Sequence, residues 1–467
     1  MNIDIVREER QLEGVDKWVK AGCFGTLYYA TGVGKTYTAL LTIDRIEKTK
    51  TPIYLISVPS EEIAKQWNRQ LEERYTKATL ARIIVRTAQQ LLLDGVVYEV
   101  DMFIVDEGHE YATEERIRII NGELVRYKAL LVLTASADDK NYGKIARYAP
   151  VIDTITETEA KDKGFIAEFI EYNLGLSLSA KEQESYDKMS EIITENMLIF
   201  NKDIRLAQLC ISGGVDTRTG ITYSAPNWAK GLAVKHGWHD KMNLHNDEEA
   251  EIDEKWNPRV IMTSAIRLMN MVRNRRDLLI GCEAKIKTTI QLIKKYNKQK
   301  TIVFSESTVF ADIIYREVVD KVKAVVYHSN LKTIIRPSDK SGKPIKIGKT
   351  RLKREAVEAI SSGKANTIIT SKALDKAFNV VDLRVGITAS GTQNTTQYKQ
   401  RGGRVKRKEL DIFDDCTVLL INLYIKDTQD EKWLRSRQAG IIHTIIDVDS
   451  IDQITYKPPI NKEYEIE

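Results

Sequence analysis

Short apolar segments alternate with helical segments over the first 150 residues of the chain. Each apolar segment has the length of a buried strand, and a stretch with helical spacing of apolar residues leads to the next one. This alternation is typical of a parallel β-sheet that carries helices on both faces. The strands predicted here are Thr26–Ala30, Ile53–Val58, Arg82–Val85, Met102–Val105 and Leu130–Leu133.

The same alternation returns after residue 300, whereas the middle of the chain departs from it. Polar helical sequence, a glycine-rich patch, an acidic loop and a basic helical stretch predict a mostly helical insert there. The predicted fold class is therefore α/β, with two α/β domains at 1–155 and 286–450, the insert at 156–285 and a tail at 451–467. The later strands are predicted at Thr301–Phe304, Ala324–Tyr327, Thr367–Thr370, Arg384–Thr388 and Val418–Leu423.

Length and composition agree with this division. A chain of 467 residues, 42% hydrophobic and 29% charged, reads as a globular protein of two or three domains. The longest apolar runs are too short to cross a bilayer and the N-terminus lacks a secretory h-region, so a cytoplasmic location is expected. Usage rich in Lys, Ile and Asn suits an AT-rich, viral genome, which would make that the host cytoplasm.

Cysteine and histidine spacing argues against two classes of site. The four cysteines form no CxxC pair and the six histidines form no HExxH pattern, which speaks against a disulfide framework and a zinc site. The net charge of +5 is too small to identify a partner, so the distribution of cations matters more.

A glycine-rich loop follows the first predicted strand and precedes a helix predicted from Thr36 to Glu47. Its glycines allow backbone N–H groups to surround phosphate oxygens, and the helix N-terminus favours negative charge. Lys35 is expected to neutralise the β- and γ-phosphates and Thr36 to hold Mg²⁺. A surface loop that contains GKT by chance is the alternative, and the strand–loop–helix order favours the phosphate site. The predicted nucleotide-binding residues are Thr31, Gly32, Val33, Gly34, Lys35 and Thr36.

Two carboxylates follow the predicted strand Met102–Val105, in the sequence Asp106-Glu107-Gly108-His109. A carboxylate at the carboxyl end of a parallel strand lies at the ligand-binding edge of the sheet. Asp106 is therefore predicted to bind Mg²⁺, and Glu107 to orient and deprotonate the attacking water. An ordinary exposed turn is the alternative, which the preceding phosphate loop makes the weaker one.

A basic cluster lies far downstream, in QYKQRGGRVKR. Arg404 and Arg407 are three residues apart and share a helical face. A guanidinium that reaches a γ-phosphate stabilises the transition state, so these two residues and Gln400 are predicted to be catalytic. The alternative is a solvated basic patch, but the glycines and the preceding glutamine favour the specific interpretation.

Taken in chain order, these motifs resemble those of the superfamily-2 helicases and translocases. REERQLEG, with Gln11, resembles the adenine-reading segment, and Thr134-Ala135-Ser136 resembles motif III. The resemblance implies two RecA-like domains, ATP and Mg²⁺ as ligands, and Arg404 and Arg407 at an ATP site between the domains. Motifs Ia, Ib, IV and V would contact nucleic acid through Pro59, Ser60, Thr87, Gln89, Ser305, Thr370, Ser371, Leu374 and Asp375.

Two features separate the chain from common members of that superfamily. Lys376-Ala377 stands where motif V usually carries Glu-Gly, and DEGH replaces the DEAD sequence of a group of RNA helicases. Compact length and the DEGH sequence resemble bacteriophage recombination helicases that remodel branched DNA. This narrower resemblance implies action on forks and junctions in DNA recombination, repair and replication.

Cations for gripping a nucleic-acid backbone concentrate in two places. Between Asn330 and Arg354 there are nine Lys or Arg residues and one Asp, with Pro, Gly and Ser among them, which predicts a flexible loop. Phosphate contacts are predicted there for Lys343, Lys346 and Lys349; a solvated insertion is the alternative. A second basic stretch, Arg267–Arg276, presents arginines either to DNA or only to solvent, and Trp228, Trp238 and Trp256 serve either as base-stacking wedges or as core residues.

The sequence thus predicts an ATP-dependent DNA helicase or translocase that unwinds or branch-migrates forked and junction DNA. An RNA track and an ATP-switched DNA-binding scaffold remain alternatives. A restriction-type motor with a nuclease has no support, because no PD…(D/E)xK carboxylate cluster is present.

Overall fold

A computed structural model describes residues 3–47, 51–135, 142–236, 254–337, 343–371, 380, 382–407 and 417–461. The predictions for Ser136, Trp238, Leu374, Asp375 and the Lys376-Ala377 pair lie outside these residues. The chain divides into two compact units, Met1–Leu176 with Ile286–Glu467, and Ser177–Lys285. Within the described ranges, no helix is both long and apolar enough to span a membrane.

The first part of the larger unit is built on a six-stranded parallel sheet of strand order β3-β2-β4-β5-β1-β6. The five predicted strands are confirmed, and β6 joins them at the edge. Helices cover both faces, so the central strands are apolar nearly throughout. The elements are α1 (Ile3–Lys20), β1 (Phe24–Tyr29), α2 (Lys35–Glu47), β2 (Tyr54–Val58), α3 (Glu61–Arg74), α4 (Lys77–Leu80), β3 (Ile83–Thr87), α5 (Ala88–Leu93), β4 (Tyr98–Val105), α6 (Ile117–Ile120), β5 (Val125–Thr134), α7 (Gly143–Ala146), β6 (Val151–Ile155) and α8 (Glu157–Asp162).

The second part of the larger unit is a seven-stranded parallel sheet of strand order β11-β14-β10-β15-β16-β7-β17. Two parallel sheets in one chain confirm the predicted α/β class. The elements are β7 (Phe169–Leu176), α13 (Glu283–Lys295), β10 (Thr301–Ser305), α14 (Thr308–Val318), β11 (Ala324–Tyr327), β12 (Ile334–Pro337), β13 (Pro344–Ile347), α15 (Lys349–Ser361), β14 (Thr367–Ser371), β15 (Val385–Thr388), α16 (Thr395–Val405), β16 (Val418–Ile425), α17 (Gln429–Arg437) and β17 (Ile445–Val448).

Strand β7 moves one boundary of the predicted insert. Residues 156–176 belong to the larger unit, and β7 pairs in parallel with β16 from Phe169 opposite Val418 to Leu176 opposite Ile425. The helical unit begins at Ser177 instead of residue 156. The sequence pattern did not reveal this boundary, because β7 is an isolated strand whose neighbours in the sheet lie far along the chain.

The helical unit has a core of its own, formed by one face of each of its helices. Ile261, Ala265 and Leu268 on its longest helix pack with Phe200 and Leu232. Trp228 and Trp256 lie beside this core, partly buried. The elements are α9 (Ala180–Ile199), α10 (Ile204–Ser212), β8 (Gly214–Val215), β9 (Thr222–Tyr223), α11 (Ala225–Lys235) and α12 (Pro258–Gly281).

The basic stretch after β11 is not the flexible loop that its composition predicts. Strands β12 and β13 pair antiparallel, with Ile334 opposite Ile347 and Ile335 opposite Lys346. Ile347 is fully buried and fixes one end of the hairpin to the domain. The pairing of the two isoleucines of β12 with β13, in which Ile345 and Ile347 alternate with Lys346, outweighs the loop-forming Pro, Gly and Ser.

The predicted tail is packed over residues 451–461. Lys295 Nζ donates to Ile451 O and Ile454 O, each at 3.0 Å. Buried Asn461 accepts from Lys300 N at 2.6 Å and donates to Asp382 O at 3.0 Å. This segment therefore straps across the second sheet at the amino ends of its strands.

Candidate functional site

The predicted phosphate loop connects β1 to α2 at the carboxyl edge of the first sheet. Gly32 and Gly34 adopt φ values of +98° and +96°, the left-handed region that favours glycine. Lys35 is the first residue of α2, and its Nζ lies 3.4 Å from Tyr29 O. The loop therefore has the backbone of an anion-binding turn at a helix N-terminus.

Gln11 braces this loop from α1. Its Nε2 donates to Val33 O at 2.8 Å and to Gly34 O at 3.3 Å. The side chain is buried, and its Oε1 has no hydrogen-bond partner among the described residues. A buried acceptor without a donor is costly, and a donor group on a bound nucleotide would satisfy it. This unpaired Oε1 is the feature of Gln11 that fits recognition of a nucleotide base.

Asp106 directly follows β4 and is buried next to the phosphate loop. Trp67 Nε1 donates to Asp106 Oδ2 at 2.9 Å, and Glu107 N donates to Oδ1 at 3.0 Å. Burial, then the negative charge of Glu107, raises the pKa of Asp106 to about 6, while the Trp67 hydrogen bond and the charge of Lys35 oppose the rise. The contact from Trp67 was missed, since the sequence gives no sign that this α3 tryptophan reaches β4.

Glu107 and His109 connect the DEGH segment to the end of β5. Glu107 has φ +51°, an uncommon conformation for a residue other than glycine. His109 Nδ1 lies 3.5 Å from Glu107 Oε2 and 3.2 Å from Thr134 Oγ1. Strand β5 lies between β4 and β1, so Thr134 is placed between the carboxylates and the phosphate loop. Thr134, which belongs to the segment that resembles motif III, is thus in contact with the DEGH segment through His109.

The donor set near the loop fits Mg²⁺ only together with a nucleotide. No cluster of three or more His, Cys, Asp or Glu side chains suited to a metal occurs in the described part of the chain. Mg²⁺ is commonly held by one or two protein oxygens plus substrate phosphates. Thr36 and Asp106 fit that smaller protein contribution.

Helix α16, from the second domain, lies against the phosphate loop. A Cβ atom built on Gly403 would lie 2.4 Å from the Cβ of Thr31. A Cβ on Gly32 would lie 3.7 Å from Gly403 O and 3.9 Å from Arg407 Cα. The segment that carries the predicted arginines therefore meets the loop across the domain boundary.

Two side chains anchor α16 to its own domain. Arg401 donates to Glu306 Oε1 at 2.6 Å and to Ser390 O at 3.0 Å. Tyr398 donates to the buried carboxylate of Glu171 on β7. Neither residue was predicted to have a role, because their partners, Glu171 and Glu306, lie far away along the chain.

Glu171 gathers further donors around α16. Asn422 Nδ2 donates to Glu171 Oε1 at 2.6 Å, and His443 Nε2 lies 2.8 Å from Oε2. Burial opposes ionisation of this carboxylate, but the hydrogen bond with His443 and the positive charge of Lys406 hold its pKa below the ordinary value. Glu171 is thus a buried carboxylate anion that holds α16 to β7 through Tyr398.

Arg404 and Gln400 are both partly buried on α16. The charge of Arg404 acts on Tyr327 at the end of β11, where it opposes the upward pKa shift that burial, and then Glu62, impose on the tyrosine. Glu62 belongs to α3 in the first domain, and Tyr327 belongs to the second domain. Arg404 therefore lies near a pair of residues from the two domains. The charge of Arg404 thus lies near the boundary between the two domains.

The connection between the domains is tied to the end of α16. Ala167 N donates to Lys406 O at 2.8 Å, and Lys406 Nζ pairs with Glu157. A cavity of about 410 Å³ opens beside the phosphate loop between these segments, within the size range of small-ligand sites. Its lining includes Tyr28, Thr31, Glu157, Phe169, Lys399 and His443.

The residues predicted to touch nucleic acid divide into two groups. Ser60 and Thr87 cap α3 and α5, each accepting a hydrogen bond from a backbone N–H three residues on, and Gln89 is exposed beside them. Pro59 is partly buried. Lys343, Lys346 and Lys349, which are predicted to contact phosphates, are all exposed.

Motif V and motif IV residues are less accessible. Ser305 is buried and its Oγ accepts from Ser307 N at 3.1 Å, while Thr370 and Ser371 are buried at the end of β14. Contact between any of these three hydroxyl groups and a strand therefore requires movement of neighbouring segments.

These features define the class of the protein: a P-loop nucleoside triphosphatase in which two parallel-sheet domains meet at one phosphate loop. Residues 5–139 match the family model "Type III restriction enzyme, res subunit", and residues 284–409 match "Helicase conserved C-terminal domain". The chain belongs to the superfamily-2 helicases and translocases and hydrolyses ATP. The two domains are therefore the tandem RecA-like domains of that superfamily.

Similarity to individual proteins extends along most of the chain. The DNA 3'-5' translocase XPB2 of Sulfurisphaera tokodaii is 21% identical over 442 residues, covering 92% of this chain and 83% of the relative. The crystal structure of the Pyrococcus furiosus Hef helicase domain is 15% identical, with a TM-score of 0.49, over 93% of this chain and 99% of the other.

Proposed function

We propose that the protein is an ATP-dependent DNA helicase or translocase that uses Mg-ATP hydrolysis between its two domains. The observation that carries the proposal is the contact of Gly403 and Arg407 with the phosphate loop at Thr31 and Gly32. A nucleotide held there would touch both domains, so its hydrolysis would change how strongly they attract each other.

The first domain supplies the groups that bind phosphate and activate water. Lys35 would neutralise phosphate oxygens, and Thr36 and Asp106 would hold Mg²⁺, with Trp67 fixing the Asp106 carboxylate. Bound Mg²⁺ would supply positive charge that stabilises the transferring phosphoryl group. Glu107 accepts the proton of the attacking water, and His109 links it to Thr134 at the end of β5.

The second domain supplies the charge that completes the site. Arg404 and Arg407 stabilise negative charge on the γ-phosphoryl oxygens, and Gln400 orients the same group from one turn earlier on α16. Arg401 keeps its ion pair with buried Glu306 and so holds α16 in position on the second domain. Gln11 would accept a hydrogen bond from the nucleotide base through its unpaired Oε1.

DNA is the proposed track, which the similarity to a DNA translocase supports. Exposed Lys343, Lys346 and Lys349 on and after the hairpin pair with phosphates, while Ser60, Thr87 and Gln89 face the strand from the first domain. Forked and junction DNA, as handled in recombination, repair and replication, is the proposed substrate, on the evidence of the DEGH sequence and compact motor.

The test is an ATPase and strand-displacement assay with single-stranded DNA, duplex, forked DNA, a Holliday junction and RNA. We expect the largest stimulation by forked or junction DNA. Lys35→Ala should abolish hydrolysis, and Lys20→Ala, which removes an exposed lysine of α1, should not.

Three results would contradict parts of this proposal. Wild-type hydrolysis by Lys35→Ala would remove the phosphate-loop assignment. Equal stimulation by RNA would make RNA the track. DNA-stimulated hydrolysis with no displacement of a strand or of a streptavidin block would identify an ATP-switched scaffold.

A further inference from the structure

We infer that one face of α12 in the helical unit binds the sugar–phosphate backbone of DNA. The inference rests on the proposed function for its choice of DNA. Helix α12 contains no acidic residue before Asp277, although it carries Arg259, Arg267 and Arg273 over that length. This composition departs from that of an ordinary solvated helix, which mixes both charges.

The three arginines lie on the exposed side of α12. Each is exposed, and successive turns place them within one third of the helix circumference. We call this side, with Arg259, Arg267 and Arg273, the arginine face. From Arg259 to Arg273 it extends about 21 Å along the axis, which matches about six phosphates of one DNA strand.

The other residues of the arginine face suit a backbone contact. Thr263, Asn270 and Asn274 are exposed between the arginines and supply neutral hydrogen-bonding groups. Ile266 is 49% and Val260 39% exposed, and they are too few to form the apolar core of a protein interface. Interfaces with DNA are polar and strongly positive, as this face is.

The arginine face has no structural work in the described part of the chain. None of its three guanidinium groups pairs there with a carboxylate. Arg275 provides the contrast, because it turns inward, donates to Ser190 Oγ at 3.1 Å and lies 5.6 Å from the Tyr186 ring centre. Arginines that stabilise this unit are therefore distinguishable from those that do not.

Among the described residues, the arginine face carries charge of one sign only, which concentrates positive potential on it. The neighbouring helix α9 exposes acidic side chains, whereas the arginine face has none. Segregated charge steers a polyanion to one side of a molecule. The exposed acidic residues of α9 are Glu184, Asp187, Glu191 and Glu195.

The experiment compares two full-length triple variants by fluorescence anisotropy on a labelled DNA fork, between 50 and 200 mM salt. Arg259→Gln/Arg267→Gln/Arg273→Gln removes the face, and its slope of log affinity against log salt should be about 2.7 units shallower. Across that range the wild type should lose about 40-fold more affinity than this variant. The matched control, Arg205→Gln/Lys230→Gln/Lys235→Gln, removes the same charge from α10 and α11 and should keep the wild-type slope.

The outcomes separate this inference from the proposed function. A wild-type slope for the α12 variant, or equal flattening in the control, overturns the arginine face alone. A wild-type chain that binds no DNA overturns both proposals. ATP hydrolysis without DNA should match the wild type in both variants, because neither changes the phosphate-loop site; a loss confined to the α12 variant would also overturn the inference.

Discussion

Gly403→Ala tests whether the contact between α16 and the phosphate loop belongs to the hydrolysing state. The added methyl group would lie 2.4 Å from both Cβ and Cγ2 of Thr31. Carbon atoms in contact prefer about 3.5–4.0 Å, so helix and loop must separate by about 1 to 1.5 Å. The same separation would move Gly403 O and Arg407 Cα away from Gly32, which they approach in the structure.

A separation of that size should strongly slow hydrolysis. Misplacing a catalytic group by about 1 Å costs about 100-fold in rate, or about 2.7 kcal/mol in the activation barrier. We expect kcat to fall by about that factor, with a smaller change in KM for ATP, because Lys35 and the loop itself remain intact. The measurement is steady-state ATPase with saturating DNA.

Gly402→Ala is the matched control on the same helix. Its added Cβ would lie 3.6 Å from Lys406 Cε and 3.9 Å from Leu420 Cδ1, which are ordinary contacts. Both substitutions favour the helix by about 1 kcal/mol, so thermal unfolding should not separate them by loss of α16. Wild-type kcat for Gly403→Ala would refute the reasoning, as would an equal loss in Gly402→Ala.

Three further results are expected. The pKa of Asp106 is raised to about 6, and its carboxyl group must be ionised to bind Mg²⁺. ATPase activity at limiting Mg²⁺ should therefore fall as the pH drops through about 6, and excess Mg²⁺ should move the midpoint of that fall to a lower pH. A midpoint that does not depend on Mg²⁺ contradicts the assignment of Asp106. Tyr398→Phe removes a donor to buried Glu171, so the free energy of unfolding should fall by about 2 kcal/mol in denaturant titrations, and an unchanged value would exclude the anchor. Asn461→Ala should cost about 1–3 kcal/mol by the same measurement and exposed Lys457→Ala almost nothing; equal effects would deny the strap a stabilising role.

Local chemistry made the phosphate loop predictable. The strand, the glycines and the helix start occupy consecutive residues, so Gly32, Gly34 and Lys35 could be assigned from sequence and adopt the expected backbone. Asp106 was assigned for the same reason, since a buried strand leads directly into it. Features encoded in one short segment are visible to pattern analysis.

Long-range polar contacts were not predictable. Strand β7 buries Glu171 and Asn173, and inward-facing polar residues imitate the solvent face of a strand or a helix. The partners of Glu171, Tyr398 and His443, lie more than 220 residues away, so no local pattern reveals the network. The hairpin β12–β13 was missed for a different reason: its composition is that of a loop, and only pairing reveals the strands.

The position of β7 in its sheet has a consequence for the order in which the protein matures on the ribosome. Both of its neighbours come much later, since β16 begins at Val418 and β17 at Ile445. At about 5–20 residues per second, β7 waits roughly 12 to 50 s after its own synthesis before β16 is made. During that time the backbone N–H and C=O groups along both of its edges have no native partner, so nascent chains should depend on chaperones longest at this strand, after the first domain has already folded.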